Sequence, residues 1–266
     1  VSVGPRDARR REARGPDRLR RIRIRVEGTV QGVGFRPHVH RLAADLGLAG
    51  FVLNDSAGVV IEVEARSRAV DLFLERLGAE APALASIERL DAEELTPMGD
   101  TGFAILLSDP AGEPSAAVAP DAATCPDCLA ELRDPGDRRH RYPFVNCTAC
   151  GPRYTIVRGV PYDRALTTMA GFAMCDLCRA EYEDPSDRRF HAEPIACPAC
   201  GPSVRLVDPG GRPVGSWPIG RGVDGQLADD PVATAAAALL DGRIVAVKGI
   251  GGFHLACRAD DEEVVS

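Results

Sequence analysis

A chain of 266 residues with 45% apolar residues and a formal net charge of −7 is long enough for one large domain or two to three small ones with real cores. No apolar run approaches the roughly 18 residues of a membrane span, and no apolar segment follows the Arg-rich start as a secretory signal would require. Membrane and secreted proteins are thereby disfavoured, and a soluble, cytoplasmic protein is expected.

Residues 1–25 hold ten Arg against Asp7, Glu12 and Asp17. Residues 1–19 are read as a disordered basic arm; contact of such an arm with nucleic acid is the less favoured reading. The chain opens on Val and stops in the acidic stretch after Asp260 with no cap or turn signal, so a fragment of a longer protein is expected. Lys248 is the only Lys.

Residues 20–107 form a first unit. Leu19 to Val30 alternates Arg with Ile and Val, the period of a strand with one buried face. Arg36 to Gly47 changes to helical spacing, with Val39, Leu42, Ala43 and Leu46 on one side and Gly47 as a stop. Phe51 to Leu53 and Val59 to Val63 read as a hairpin. A helix over Ala69 to Leu77 and strands at Ser86 to Leu90 and Phe103 to Leu107 complete a β-α-β-β-α-β order, the ferredoxin-like arrangement of an α+β fold. Residues 108–123, rich in Pro and Gly, are expected to link this unit to the next.

Residues 124–207 contain a duplication. A shift of 50 residues lays Cys125-Pro-Asp-Cys128 on Cys175-Asp-Leu-Cys178, Asp137-Arg-Arg139 on Asp187-Arg-Arg189, and Cys147-Thr-Ala-Cys150-Gly-Pro152 on Cys197-Pro-Ala-Cys200-Gly-Pro202. Half of the aligned positions are identical, without a gap. A second linker is expected at 208–225. Residues 226–266 then offer an Ala-rich helix over Val232 to Leu240, a short buried strand over Ile244 to Val247, and the loop Lys248-Gly-Ile-Gly-Gly-Phe-His254, as at the start of an α/β domain.

Two constellations carry chemistry. Eight of the nine Cys form four Cys-x-x-Cys pairs with C-x2-C-x18-C-x2-C spacing, used twice. Each pair presents two thiolates at the separation tetrahedral zinc requires, so two structural zinc ions are expected; without a signal peptide, disulfides are disfavoured. Pairing in sequence order (Cys125, Cys128, Cys147, Cys150, then Cys175, Cys178, Cys197, Cys200) is favoured by the repeat, with interleaved pairing open. His191 is a nearby alternative ligand, more simply read as an ordinary hydrogen-bonding side chain. Cys257 stands alone and is expected to be a buried small apolar residue. The second constellation is Val30-Gln31-Gly32-Val33-Gly34-Phe35-Arg36, a glycine-bearing loop between strand and helix. Converging backbone N–H groups, the helix dipole and an Arg fork make an anion site; a tight strand-to-helix turn is the plainer alternative.

The runs Gly28-Thr-Val-Gln-Gly-Val-Gly-Phe-Arg36 and Leu46-Gly-Leu-Ala-Gly-Phe-Val-Leu-Asn54 resemble the acylphosphatase signature. By that resemblance Arg36 holds an acyl phosphate, the loop Gln31, Gly32, Val33, Gly34, Phe35 cradles its phosphoryl oxygens, and Asn54 orients the attacking water. His38 and His40, on the adjoining helix, are read as structural or surface residues. Followed by the duplicated cysteine module and Lys-Gly-Ile-Gly-Gly-Phe-His-Leu, the whole resembles the HypF family of hydrogenase-maturation carbamoyltransferases, the last block resembling the start of a YrdC-like domain with Lys248 and His254 as nucleotide or carbamate contacts. The resemblance implies hydrolysis of carbamoyl phosphate, formation of carbamoyl adenylate with ATP, and transfer of the carbamoyl group to the C-terminal Cys of a HypE-type partner for cyanide-ligand synthesis. A fragment of this extent is expected to perform the hydrolytic step only. The alternative is a zinc-ribbon binding module with an idle acylphosphatase-like domain; steep salt dependence of nucleic-acid binding would mark it.

Overall fold

The computed structural model describes residues 17–214 and 230–266, so most of the expected basic arm, and the expected linker from residue 215 on, lie outside the described residues. Strand β1 (Leu19–Thr29) buries Ile22, Ile24 and Val26 completely and turns Arg21, Arg23 and Arg25 to the other face. It lies between β3 (Val59–Arg66) and β4 (Ser86–Leu95), antiparallel to both; β2 (Ala49–Asn54) pairs antiparallel with β3 and parallel with β5 (Phe103–Ile105), giving the order β4-β1-β3-β2-β5. The interior β3 reads Val59, Ile61, Val63 inward at period two.

Helices α1 (Phe35–Leu46) and α2 (Ser67–Ala79) cover one face of this sheet with Val39, Leu42, Ala43, Val70, Phe73 and Leu77. Each of the Val, Leu and Phe side chains taken fully from water stabilises by roughly 1.5–3 kcal/mol. On the opposite face Arg21 and Arg23 converge on Glu62 and Arg25 meets Asp55, while Arg20, at the rim of the helix-covered face, meets Asp71 of α2 and Glu94. Four of the ten N-terminal Arg are thus ion-paired components of a sheet.

Because β1 and β2 both run antiparallel to β3, their C-terminal ends meet at one edge of the sheet, where α1 also begins. That edge carries the loop at 31–35, Arg36 and Asn54. The segment 108–123 is pinned along it: Asp109 N bonds Asn54 O, Ser115 and Ala116 N–H groups share Ser56 O, and Val118 bridges Gln31. Its backbone groups find partners on the first unit, so the expected linker is an edge lining.

Each half of the cysteine duplication folds as a knuckle, a short helix and a second knuckle, with α3 (Pro126–Arg133) and α4 (Asp176–Glu183) opening directly after Cys125 and Cys175. The repeat extends to backbone strain, since Arg141 and His191, 50 residues apart, both take positive φ, 60° and 53°. Residues 206–214, placed mostly in a linker by the sequence, form a hairpin of β6 (Leu206–Val207) and β7 (Pro213–Val214).

Helix α5 (Pro231–Leu240) is capped by Asp230, which accepts from Val232 N and receives the guanidinium of Arg141 from the first cysteine half. The expected buried strand is corrected: among the described residues β8 (Val245–Lys248) pairs only with β9 (Phe253–Ala256), and Ile244, Val247 and Leu255 are exposed. Cys257, expected to be buried, is exposed too, because a two-stranded ribbon has no second layer to cover it among the described residues. The short α6 (Glu262–Val265) follows.

Candidate functional site

The loop after β1 holds its shape through side chains that point away from any ligand. Val33 and Phe35 are buried in the apolar core. Gln31 donates to the carbonyls of Asp55 and Gly58 at 2.7 and 2.8 Å, which fixes the loop to the β2–β3 turn, and its Oε1 accepts from Tyr162 N at 2.7 Å. Gly32 and Gly34 take left-handed φ of 73° and 79°, which alternate with right-handed residues to form a concave row of amides. Among the described residues, none of the backbone N–H groups from Gly32 to Arg36 donates to a protein acceptor. At the N-terminus of a 12-residue helix, this is the arrangement that holds an anion.

The cysteine module roofs this loop. Gly32 lies so close to Pro152 and the Tyr162 ring that an added Cβ would be 2.9 Å from each, and Gly34 faces Thr148. The enclosed space, lined also by Asn146, Cys147, His191 and Glu193, is a cavity of about 20 Å³, the size of roughly one water.

Arg36 spans both units. Its Nη1 donates to Ser108 Oγ at 3.2 Å, while Nη2 donates to Glu193 Oε1 at 2.7 Å and lies 2.9 Å from Asp163 Oδ1 and 3.4 Å from Tyr162 O. Burial disfavours the cation, but Glu193 and Asp163 outweigh that cost and keep it charged. Glu193 is held from behind: the Tyr182 hydroxyl donates to both carboxylate oxygens at 3.3 and 3.1 Å, and Arg164 N donates to Oε2 at 2.9 Å. Burial nonetheless raises its pKa. His191, adjacent, is driven down to about 4 by burial and then by Arg36, so it is neutral at ordinary pH; it packs against Tyr182 and Phe190 and is not in a cysteine cluster.

Asn54 closes β2 at the same edge. Its backbone carbonyl accepts from Asp109 N, next to the Ser108 that meets Arg36. Its side-chain Nδ2 and Oδ1 are both buried without a protein partner, an arrangement that costs free energy unless solvent or a ligand supplies the bonds. His38 and His40 lie on α1 away from this edge; His40 packs edge-on against Phe103 and Phe190.

The eight paired Cys converge as two clusters in sequence order, Cys125, Cys128, Cys147, Cys150 and Cys175, Cys178, Cys197, Cys200, with the sulfurs of each within 4.8 Å of one another. Neighbouring Sγ atoms are 3.5 to 3.8 Å apart. Four thiolates at roughly 2.3 Å from one ion define a tetrahedral edge of about 3.8 Å, whereas a disulfide needs about 2.0 Å; the donors fit a metal. The halves brace each other reciprocally. Arg138 donates to Cys178 Sγ at 3.4 Å and Arg188 to Cys128 Sγ at 3.0 Å, while Arg139 binds Glu181 and Ala196 O, and Arg189 binds Glu131 and Asn146 O. Each cluster thus receives positive charge from the other half.

Lys248 and His254 are not brought together. Lys248 is directly opposite Phe253 in the β8–β9 register and His254 opposite Val247, so their side chains leave opposite faces of the ribbon. Sequence reasoning missed Ser108, Tyr162, Asp163 and Glu193. A signal existed for one: Glu193 falls where the first repeat has Pro143, a polar break in the duplication.

Comparisons with known proteins agree with this geometry. Residues 22–105 match the acylphosphatase family model, and residues 124–157 and 174–207 match the HypF finger model. The chain is 54% identical over 258 residues to carbamoyltransferase HypF2 of Cupriavidus necator, covering 96% of this chain and 30% of that protein. An acylphosphatase of Thermotoga petrophila is 41% identical over 88 residues, 33% of this chain and 97% of that protein. A crystal structure of full-length HypF in a phosphate- and nucleotide-bound form superposes with a TM-score of 0.82 at 42% identity, over 96% of this chain and 31% of that one. The chain therefore spans about 30% of the length of the HypF relatives it matches. With an acylphosphatase unit and both HypF fingers in order, the chain matches the HypF proteins along nearly its whole length and about 30% of theirs.

Proposed function

We propose that the edge bearing Arg36 and Asn54 hydrolyses carbamoyl phosphate to phosphate and carbamate, as the first step of carbamoyl transfer by a HypF-type protein. The observation that carries this reading is the row of unbonded N–H groups from Gly32 to Arg36 beside an Asn54 amide without a protein partner. The N–H row and Arg36 hold the phosphoryl oxygens and stabilise charge developing on them. Asn54 orients the water. No side chain need act as base, because the substrate phosphate takes the water's proton.

The two cysteine clusters hold structural zinc: a site closed by four thiolates has no open position for catalysis. In the intact protein, carbamate reacts with ATP to give carbamoyl adenylate, Lys248 and His254 being separate candidate contacts in a YrdC-like domain, and the carbamoyl group passes to the C-terminal Cys of a HypE-type partner. Enclosure of an unstable intermediate is the physical reason to join these steps in one protein.

Hydrolysis of carbamoyl phosphate and binding of inorganic phosphate test the site. Arg36→Ala is expected to lose phosphate binding and to lower turnover by roughly 10²–10³-fold. Asn54→Ala is expected to keep phosphate binding while losing turnover, since orientation and not charge is removed. Undiminished hydrolysis by Arg36→Ala refutes the assignment.

A further inference from the structure

The roof over the phosphoryl loop is rich in acceptors, which a site for a dianion alone does not need. Asp163 and Glu193 both face Arg36, and Asp163 Oδ1 has its ion pair with Arg36 but no further hydrogen bond among the described residues. A relative composed almost wholly of the first unit exists without this roof, so the acceptors are an addition made by the cysteine module and not a requirement of the acylphosphatase fold.

What they hold in this structure is informative. The group between Glu193 Oε1 at 2.7 Å and Asp163 Oδ1 at 2.9 Å, with Tyr162 O at 3.4 Å, is the Nη2 of Arg36. That group is a planar NH2 on an sp2 carbon. A carbamoyl group presents the same planar NH2 on an sp2 carbon, where an acetyl group presents a methyl. The acceptors are also preorganised, since Tyr182 and Arg164 N fix the Glu193 carboxylate.

Resting on the hydrolytic reading above, we propose that Glu193 and Asp163 are specificity residues that accept the N–H groups of the carbamoyl amino group. Substrate binding is an exchange: Arg36 turns from the two carboxylates to the phosphoryl oxygens, and the amino group takes the place its Nη2 leaves. The cavity of about 20 Å³ enlarges as the guanidinium withdraws. An acyl phosphate without N–H donors leaves the buried Glu193 carboxylate and Asp163 Oδ1 without the donor that Arg36 supplied to each, which is how a site built for a donor rejects the analogue lacking it.

The test is calorimetric binding of two non-hydrolysable analogues, carbamoylphosphonate and acetylphosphonate, which differ in NH2 against CH3, to the 266-residue chain and to Glu193→Gln and Asp163→Asn. Gln keeps acceptor capacity toward Tyr182 and Arg164 N, and metal content with circular dichroism verifies folding. The expected result is a preference for carbamoylphosphonate of roughly tenfold or more in the parent chain, with the ratio of the two dissociation constants falling toward one in both variants. A ratio retained in both variants, or a parent chain that binds the two analogues equally, overturns the proposal. Equal gains for both analogues in Glu193→Gln also overturn it, by showing that the carboxylate only competes with the anion. Failure of the parent chain to bind either analogue or inorganic phosphate removes the phosphoryl site itself, and the specificity residues with it.

Discussion

At Gly32 a single hydrogen in place of a side chain decides whether the two units close. Its φ of 73° is strained for any L residue, and a Cβ would stand 2.9 Å from Pro152 and Tyr162. Gly32→Ala is expected to destabilise the contact by about 2 kcal/mol, from left-handed strain and overpacking together; denaturant unfolding of variant and parent measures it, and a neutral substitution would show that the roof does not bear on the loop. The strand-loop-helix pattern and the Arg made this part of the site legible in the sequence. Glu193 was not, because it meets Arg36 from 157 residues away and no local pattern encodes that separation.

Between elements, the duplication produces stability that neither half holds alone. Four thiolates around a divalent ion leave two net negative charges, and the Arg-Arg pair of one half brings N–H donors to the sulfurs of the other. Arg188→Ala is expected to weaken metal retention at the Cys125 cluster roughly 10-fold or more, as loss of an outer hydrogen bond to a ligand does, with the Cys175 cluster less affected; Arg138→Ala is expected to reverse the order. Chelator competition followed by elemental analysis of the metal retained reads both. The knuckle spacing revealed the ligands at sequence level. The bracing was hidden, since Asp-Arg-Arg in each repeat reads equally well as a solvated turn.

Across the whole chain, metal and acid act on different units. Metal removal is expected to unfold residues 125–202 while 20–107 remain folded, because structural metal binding is coupled to local folding and the sheet has its own core; loss of β-sheet dichroism on chelation would contradict this. In the sheet, Glu64 accepts from Met98 N and Gly99 N at 2.7 Å each, and these bonds hold its pKa below the ordinary value despite burial. For Glu62, burial raises the pKa, but hydrogen bonds and charge from Arg21 and Arg23 outweigh it and the net shift is downward. The unfolded chain therefore takes up these protons first, so the stabilisation is present above the ordinary carboxylate range and is lost as pH falls through it toward the folded values. Glu64→Gln is expected to flatten that loss relative to the parent, measured as denaturant midpoints at about pH 7 and about pH 3.5.

The sequence by itself determined the order of the first unit's five strands and two helices, the glycine-bearing loop that runs into Arg36, and the eight paired cysteines, because strand period, helix period and knuckle spacing are properties of neighbouring residues. It misjudged Ile244 to Val247 and Cys257, where apolar character suggested burial but, among the described residues, the β8–β9 ribbon has no layer above it. Only the tertiary structure decided that the cysteine module closes over the loop and that Glu193 and Asp163 meet Arg36. The physical reason is that a buried guanidinium must find counter-charge somewhere, and which of the chain's many carboxylates supplies it follows from how the two units dock, through contacts between residues distant in sequence.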